Sequence, residues 1–214
     1  MRICETILLS ARHFRRLLNP VHSSVANLPE SPEVLAKHAL LEGDRRAALT
    51  LLMETYGEEL FRHCRQVVGD ADLAADVHQT VFVQAYRDLD GFGGRASFRT
   101  WLYAIARNRC LDALKIRRRR RLRFLLGVPA VDRPDPTPTV RDQMEHNAQA
   151  QAMDRALERL KPEVRIAVLL RYREDMSYEE MAEVCGERAA TLQARVARAL
   201  PKLRKLLEKQ EEQA

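Results

Sequence analysis

Glycine is scarce in this chain, eight in 214 residues, and aromatic residues make up 6%. Apolar and polar residues recur at helical rather than strand spacing. Few turn-formers and no strand periodicity exclude a β-rich architecture and leave an all-α protein. The four cysteines, Cys4, Cys64, Cys110 and Cys185, never stand at C-x-x-C spacing. That argues against a zinc site and a thioredoxin-like pair, and scattered thiols suit small buried hydrophobes in a reducing compartment. The six histidines (His13, His22, His38, His63, His78 and His146) are isolated. With no phosphate-cradling glycine loop and no nucleophile elbow either, the chain reads as a non-enzyme, without metal or cofactor. No apolar run reaches the length of a membrane span. The N-terminal MRICETILLSARHFRRLLNPV is broken by Arg12, Arg15 and Arg16, so it reads as neither span nor signal peptide. A cytoplasmic protein is expected.

Charge is plentiful and uneven. The formal net charge is +6, yet Gly91 to Arg123 alone holds eleven cations against one acid, Asp112. The remainder is therefore net acidic. Phe92, Phe98, Trp101 and Tyr103 lie among those cations. Cations that meet phosphate, beside rings that stack on bases, suit binding and opening of nucleic acid. A core helix with a solvated basic end is the alternative at this point.

Along the chain, residues 1–30 read as a weakly ordered extension. A first helical domain is expected over 31–126. Ser31-Pro32 is a helix start, Gly43-Asp44 and Gly69-Asp70 are breaks, and a third helix begins near Asp72. The glycine-rich DGFGG follows, then a helix from about Ser97 to Leu114 or beyond that carries the basic stretch. Residues 127–141 read as a linker, because Val128–Asp142 holds four prolines in fifteen residues. Such a segment extends at ~3 Å per residue. A second helical domain is expected over 142–210. It opens on a polar helix from about Asp142 to Leu160 and restarts at Lys161-Pro162. Ser177 and Glu180 form a capping box, and Gly186 stands where a left-handed C-cap belongs. Helix, glycine turn and helix make a helix-turn-helix pattern, with Arg188, Gln193, Arg195 and Arg198 set to face DNA. By spacing alone a generic helical hairpin is equally compatible. Pro201 predicts a kink or restart, and the tail LRKLLEKQEEQA is expected to fray.

The order of these segments resembles the sigma factors of bacterial RNA polymerase, in particular the extracytoplasmic-function group. Asp76-Val-His-Gln79-Thr-Val-Phe82 is similar to that family's polymerase-binding helix. Ser97-Phe-Arg-Thr-Trp-Leu102, followed by Ala106-Arg107-Asn108 and Asp112, is similar to its −10 recognition segment. The stretch LKPEVRIAVLLRYREDMSYEEMAEVCG is similar to its −35-reading domain. Where the family usually has Gly-Thr-Val-Lys-Ser-Arg, this chain has Ala190-Thr191-Leu192-Gln193-Ala194-Arg195, one cation and one hydroxyl fewer.

The resemblance implies a factor without chemistry of its own. It would bind core RNA polymerase at the largest-subunit clamp helices and the flap, open promoter DNA, and serve a stress or envelope-response regulon. An anti-sigma factor is the implied regulator. Asp76, Gln79 and Val83 would meet the polymerase. Phe92, Arg95, Phe98, Arg99, Trp101, Arg107, Asn108, Lys115, Arg117 and Arg118 would meet the −10 element. Arg188, Thr191, Gln193, Arg195 and Arg198 would meet the −35 element. Trp101, a lone Trp on an apolar face, is more often core than a wedge, Asn108 has a capping or orienting role as its alternative, and Asp112 would position Arg109 or Asn108. A stand-alone helix-turn-helix regulator of duplex DNA is the competing class; it leaves the first domain without a purpose.

Overall fold

The computed structural model describes residues 31–126 and 148–211, and among these every regular element is helical. The chain divides into two compact units, the first holding helices α1–α4 and the second α5–α8. The expected extension over 1–30, the linker over 127–141 and the start of the polar helix at Asp142 lie outside the described residues.

In the first unit, α1 (Pro32–Leu41) begins with proline at its first position, where the missing N–H costs no helical bond. Gly43, at φ 80°, turns the chain toward α2 (Arg45–Val68). The Asp44 carboxylate accepts from Ala47 N–H at 2.9 Å and so satisfies a donor that the first turn leaves open. Gly69, left-handed at φ 71°, closes α2, and Asp70 caps α3 (Ala71–Asp88) through Leu73 N–H at 2.8 Å. A 3-10 turn, Leu89–Gly91, leads into an irregular loop. Ser97 then caps α4 (Phe98–Leu125).

The core forms where three apolar stripes meet. Leu52, Leu60, Cys64 and Val67 of α2, Val77, Val81, Phe82 and Ala85 of α3, and Leu102, Tyr103, Ala106 and Cys110 of α4 are all buried. Each large apolar side chain removed from water contributes about 1.5–3 kcal/mol. That core holds the N-terminal half of α4 rigidly, while Lys115 to Arg121 are exposed. Ile116, Leu122 and Phe124 are large apolar residues exposed on this same outer stretch.

In the second unit, α5 (Ala148–Glu158) and α6 (Pro162–Tyr172) are joined by a turn that a buried arginine closes. Arg165 donates from Nε to the Leu157 carbonyl at 2.9 Å and from Nη2 to that of Glu158 at 2.6 Å. A cation there also meets the negative end of the α5 dipole. The capping box at Ser177 and Glu180 opens α7 (Tyr178–Cys185), and Gly186 at φ 65° ends it. The last helix, α8, runs Ala189–Glu211.

The restart expected at Pro201 and the fraying expected of the tail are corrected here. The helix neither stops nor restarts at Pro201, and the tail is helical to Glu211. Val196, Ala199, Leu203 and Leu207 stay buried on both sides of the proline, which itself is exposed. A proline inside a helix costs about 3 kcal/mol. Burying Leu203 and Leu207 beyond it recovers a similar amount, so the helix continues.

Candidate nucleic-acid and protein interface

Three surfaces carry the residues singled out by the sequence. The first is the outer face of α3. Asp76 and Gln79 are exposed, Val83 is 45% exposed, and their spacing of three and four places them on one side. An open groove of about 440 Å³ lies beside them, lined by Leu49 and Met53 of α2 and by His78, Gln79, Phe82, Val83, Tyr86 and Arg87 of α3. Its lining is almost wholly apolar. His78 sets the floor: Nε2 lies 2.9 Å from the Gly57 carbonyl, and the ring is edge-on to Phe61 and Phe82 at 5.6 and 5.0 Å. The sequence motif covers α3 alone, so the α2 wall was missed. Its signal was Met53, an apolar residue set one position beyond the buried Leu52 and 45% exposed.

The second surface is the loop 92–97 with α4. Phe92 stacks on Phe98 at 4.2 Å and 18° between planes, and Trp101 lies 5.2 Å from Phe92. Phe98 is 0% exposed and so backs the other two rings rather than offering a face. Phe92 and Trp101 are half-buried. Gly94 at φ +67° supplies the turn, and Arg95 beside it is exposed. Residues seven apart on a helix differ by about 20°. Trp101, Asn108 and Lys115 therefore form one stripe along α4, and Arg119, one turn further, continues it.

The remaining cations of this helix are differently employed. Arg99 is paired with Glu59 of α2 and lies 5.2 Å over the Tyr103 ring, so it braces α4 against α2. Arg107 donates to Asn108 Oδ1 at 3.0 Å, which orients that amide. Asp112 lies between Arg109 at 3.8 Å and Lys115 at 3.7 Å. Arg117 donates to the Val68 carbonyl at 3.0 Å, at the C-terminal end of α2. Arg118 to Arg121 and Arg123 are exposed. The site set named from sequence is thus divided into a stripe of exposed groups and a set of braces, Phe98, Arg99 and Arg117. Arg119, read from sequence as one of the run Arg117 to Arg121 that attracts phosphate, extends the stripe because it stands four residues, one helical turn, beyond Lys115.

The third surface is α8 after the Gly186 turn. Arg188, Thr191, Gln193 and Arg198 are exposed. Thr191, Arg195 and Arg198 fall within about 60° of one another around the helix, whereas Gln193 is about 160° from Thr191. Gln193 is therefore not brought together with the others. Arg195 donates from Nη1 to Glu187 Oε1 at 2.8 Å and from Nη2 to Oε2, a two-pronged pair. This hydrogen bonding raises the Arg195 pKa above its ordinary value. The Arg198 guanidinium Nε donates to the Ala194 carbonyl at 3.0 Å. Glu187 was missed because nothing local in the sequence marks an acid whose partner, Arg195, is eight residues away.

Comparison with known proteins assigns a family to each of the two units. Residues 52–121 match the family Sigma-70 region 2, and residues 150–203 match Sigma-70, region 4. The chain is 30% identical over 181 residues to the ECF RNA polymerase sigma-E factor of Escherichia coli, covering 78% of this chain and 92% of that protein. It is 42% identical over 89 residues to the ECF RNA polymerase sigma factor SigG of Mycobacterium tuberculosis. That match covers 42% of this chain and spans 24% of the length of SigG. Among solved structures, the sigma factor RpoE from Bartonella quintana, crystallised with the anti-sigma factor NepR, superposes with a TM-score of 0.58 at 25% identity. That superposition covers 74% of this chain and 96% of the other.

Proposed function

Because this chain belongs to the sigma-70 family of RNA polymerase sigma factors, in its extracytoplasmic-function group, we propose that it carries core polymerase to promoters, opens the DNA and thereby starts transcription of a stress or envelope-response regulon in the cytoplasm. It does no covalent chemistry. The observation that carries this reading is the composition of α4. One helix has the half-buried Trp101, packed beside Phe92 of the preceding loop, at its core-held end and exposed cations at its free end.

The groove on α2 and α3 suits the clamp helices of the polymerase's largest subunit. Its apolar floor gives affinity, and Asp76 and Gln79 at its side give a charge contact and a hydrogen bond. The second unit is proposed to meet the flap and the −35 element. Its Thr191, Arg195 and Arg198 face the major groove, with Arg195 held in a fixed orientation by Glu187. At the −10 element the strand runs along Trp101, Asn108, Lys115 and Arg119. Turning a base out of the stack costs a few kcal/mol. Stacking on an aromatic ring returns about 1–3 kcal/mol per base, so Phe92 and Trp101, kept in place by the buried Phe98, can hold a base that the polymerase has helped to free. Asn108, with its oxygen engaged by Arg107, is left to donate from its amide nitrogen. Regulation by an anti-sigma factor follows from the complex formed by the Bartonella relative.

The test is run-off transcription from a genomic fragment library, with purified core polymerase and with or without this protein. Start sites that arise with the protein, and share sequence upstream, support the proposal. Duplex binding without core-dependent transcripts favours a stand-alone regulator.

A further inference from the structure

The first turn of α2 contains Arg45 and Arg46 and no acid. Cations are unfavourable at that end, since they face the positive pole of the helix dipole. Arg45 has a distant use that accounts for its place. Its Nη2 donates to the Tyr86 carbonyl at 2.5 Å, in the last turn of α3. Its Nη1 lies 3.0 Å from Asp90 Oδ2, in the 3-10 turn that leads to the loop. The guanidinium also lies 4.7 Å over the Tyr86 ring. Tyr86 lines the apolar groove. Phe92, two residues after Asp90, donates its N–H to Leu89 at 3.1 Å, so the ring that packs on Trp101 is tied to the same turn.

We propose that Arg45 is a positioning residue that joins the polymerase-docking groove to the −10 loop, so that occupation of one fixes the placement of the other. One guanidinium grips the groove's Tyr86 and the loop's Asp90 together. Displacing Tyr86 when a partner fills the groove shifts Arg45, and Asp90 follows. The alternative role, a plain cap on the end of α3, uses the Tyr86 carbonyl and has no need of Asp90.

This inference rests on the sigma-factor reading, but its test has one arm that does not. Trp101 is the sole tryptophan of the chain and reports the loop by its contact with Phe92. Asp90→Asn removes the charge from the loop arm and leaves the α3 cap intact. It should raise acrylamide quenching of Trp101 in the free protein. In the holoenzyme it should lower promoter opening by about threefold, as expected for a half-exposed ion pair, with core affinity unchanged within about twofold. Arg45→Met loses both arms and should lower opening by about tenfold. Wild-type quenching together with wild-type opening in Asp90→Asn overturns the inference and leaves Arg45 as a cap. If the wild-type protein opens no promoter, the functional reading fails, and the quenching of Asp90→Asn still decides whether Arg45 positions the loop.

Discussion

The basic end of α4 and the last helix, α8, both present arginines, and they present them in opposite ways. On α8 the central cation is already engaged. Arg195 is fixed by Glu187, and Arg198 bonds to its own helix backbone. On α4, Arg118 to Arg121 are exposed, and the sequence from Ala113 to Arg123 contains no acid. Pre-paired cations have lost mobility before they meet DNA, which favours discrimination between base pairs over gross attraction. Exposed cations attract phosphate by counterion release and carry no sequence information. On the proposed function the two surfaces would divide the work, α4 supplying affinity and opening and α8 selectivity.

The division can be tested by removing each set in turn. Replacing Arg118 to Arg121 with glutamine should have the largest effect. It should reduce the slope of log affinity against log salt by about 3 to 4, with little change in which promoters are preferred. Filter binding of the holoenzyme across salt concentrations measures both. Replacing Arg188 and Arg198 should reduce the slope by at most about 2. Arg117 is left out because it bonds to the Val68 carbonyl.

Phe92→Ala should cost about 1–3 kcal/mol of open-complex stability by loss of a stacking surface, and leave closed-complex binding unchanged. Abortive-initiation kinetics separate the two steps. Glu187→Gln should have the smallest effect. It removes the charge and one of the two prongs that hold Arg195 and should narrow the preference for the best −35 sequence by about 1 kcal/mol, measured as competition between matched and mutated duplexes. A larger loss from Glu187→Gln than from Phe92→Ala would break the division.

The elements of the fold were legible where short-range chemistry writes them. Ser31-Pro32, Gly69, Ser177 with Glu180, and Gly186 mark helix ends by rules that act within one turn. The sequence likewise placed Asp76, Gln79 and Val83 on one face, because helical spacing determines that. The residues that misled depend on contacts distant in sequence. Pro201 is a helix breaker locally, yet Leu203 and Leu207 bury beyond it. Phe98 and Trp101 look alike in sequence, but the first faces the core and the second the rim. Arg99 and Arg195 read as free cations until Glu59 and Glu187 are brought beside them. Periodicity names the face of a helix; it does not name the partner.

Permanganate reactivity of thymines around the −10 element, in complexes of core polymerase with this protein on a promoter found by run-off transcription, tests the central claim most directly. Wild-type protein should make those thymines reactive, and Phe92→Ala should leave the DNA bound but the thymines protected. Reactivity equal in the two proteins, or none with the wild type on DNA that it demonstrably binds, would contradict the assignment of promoter opening to the rings of α4 and its loop.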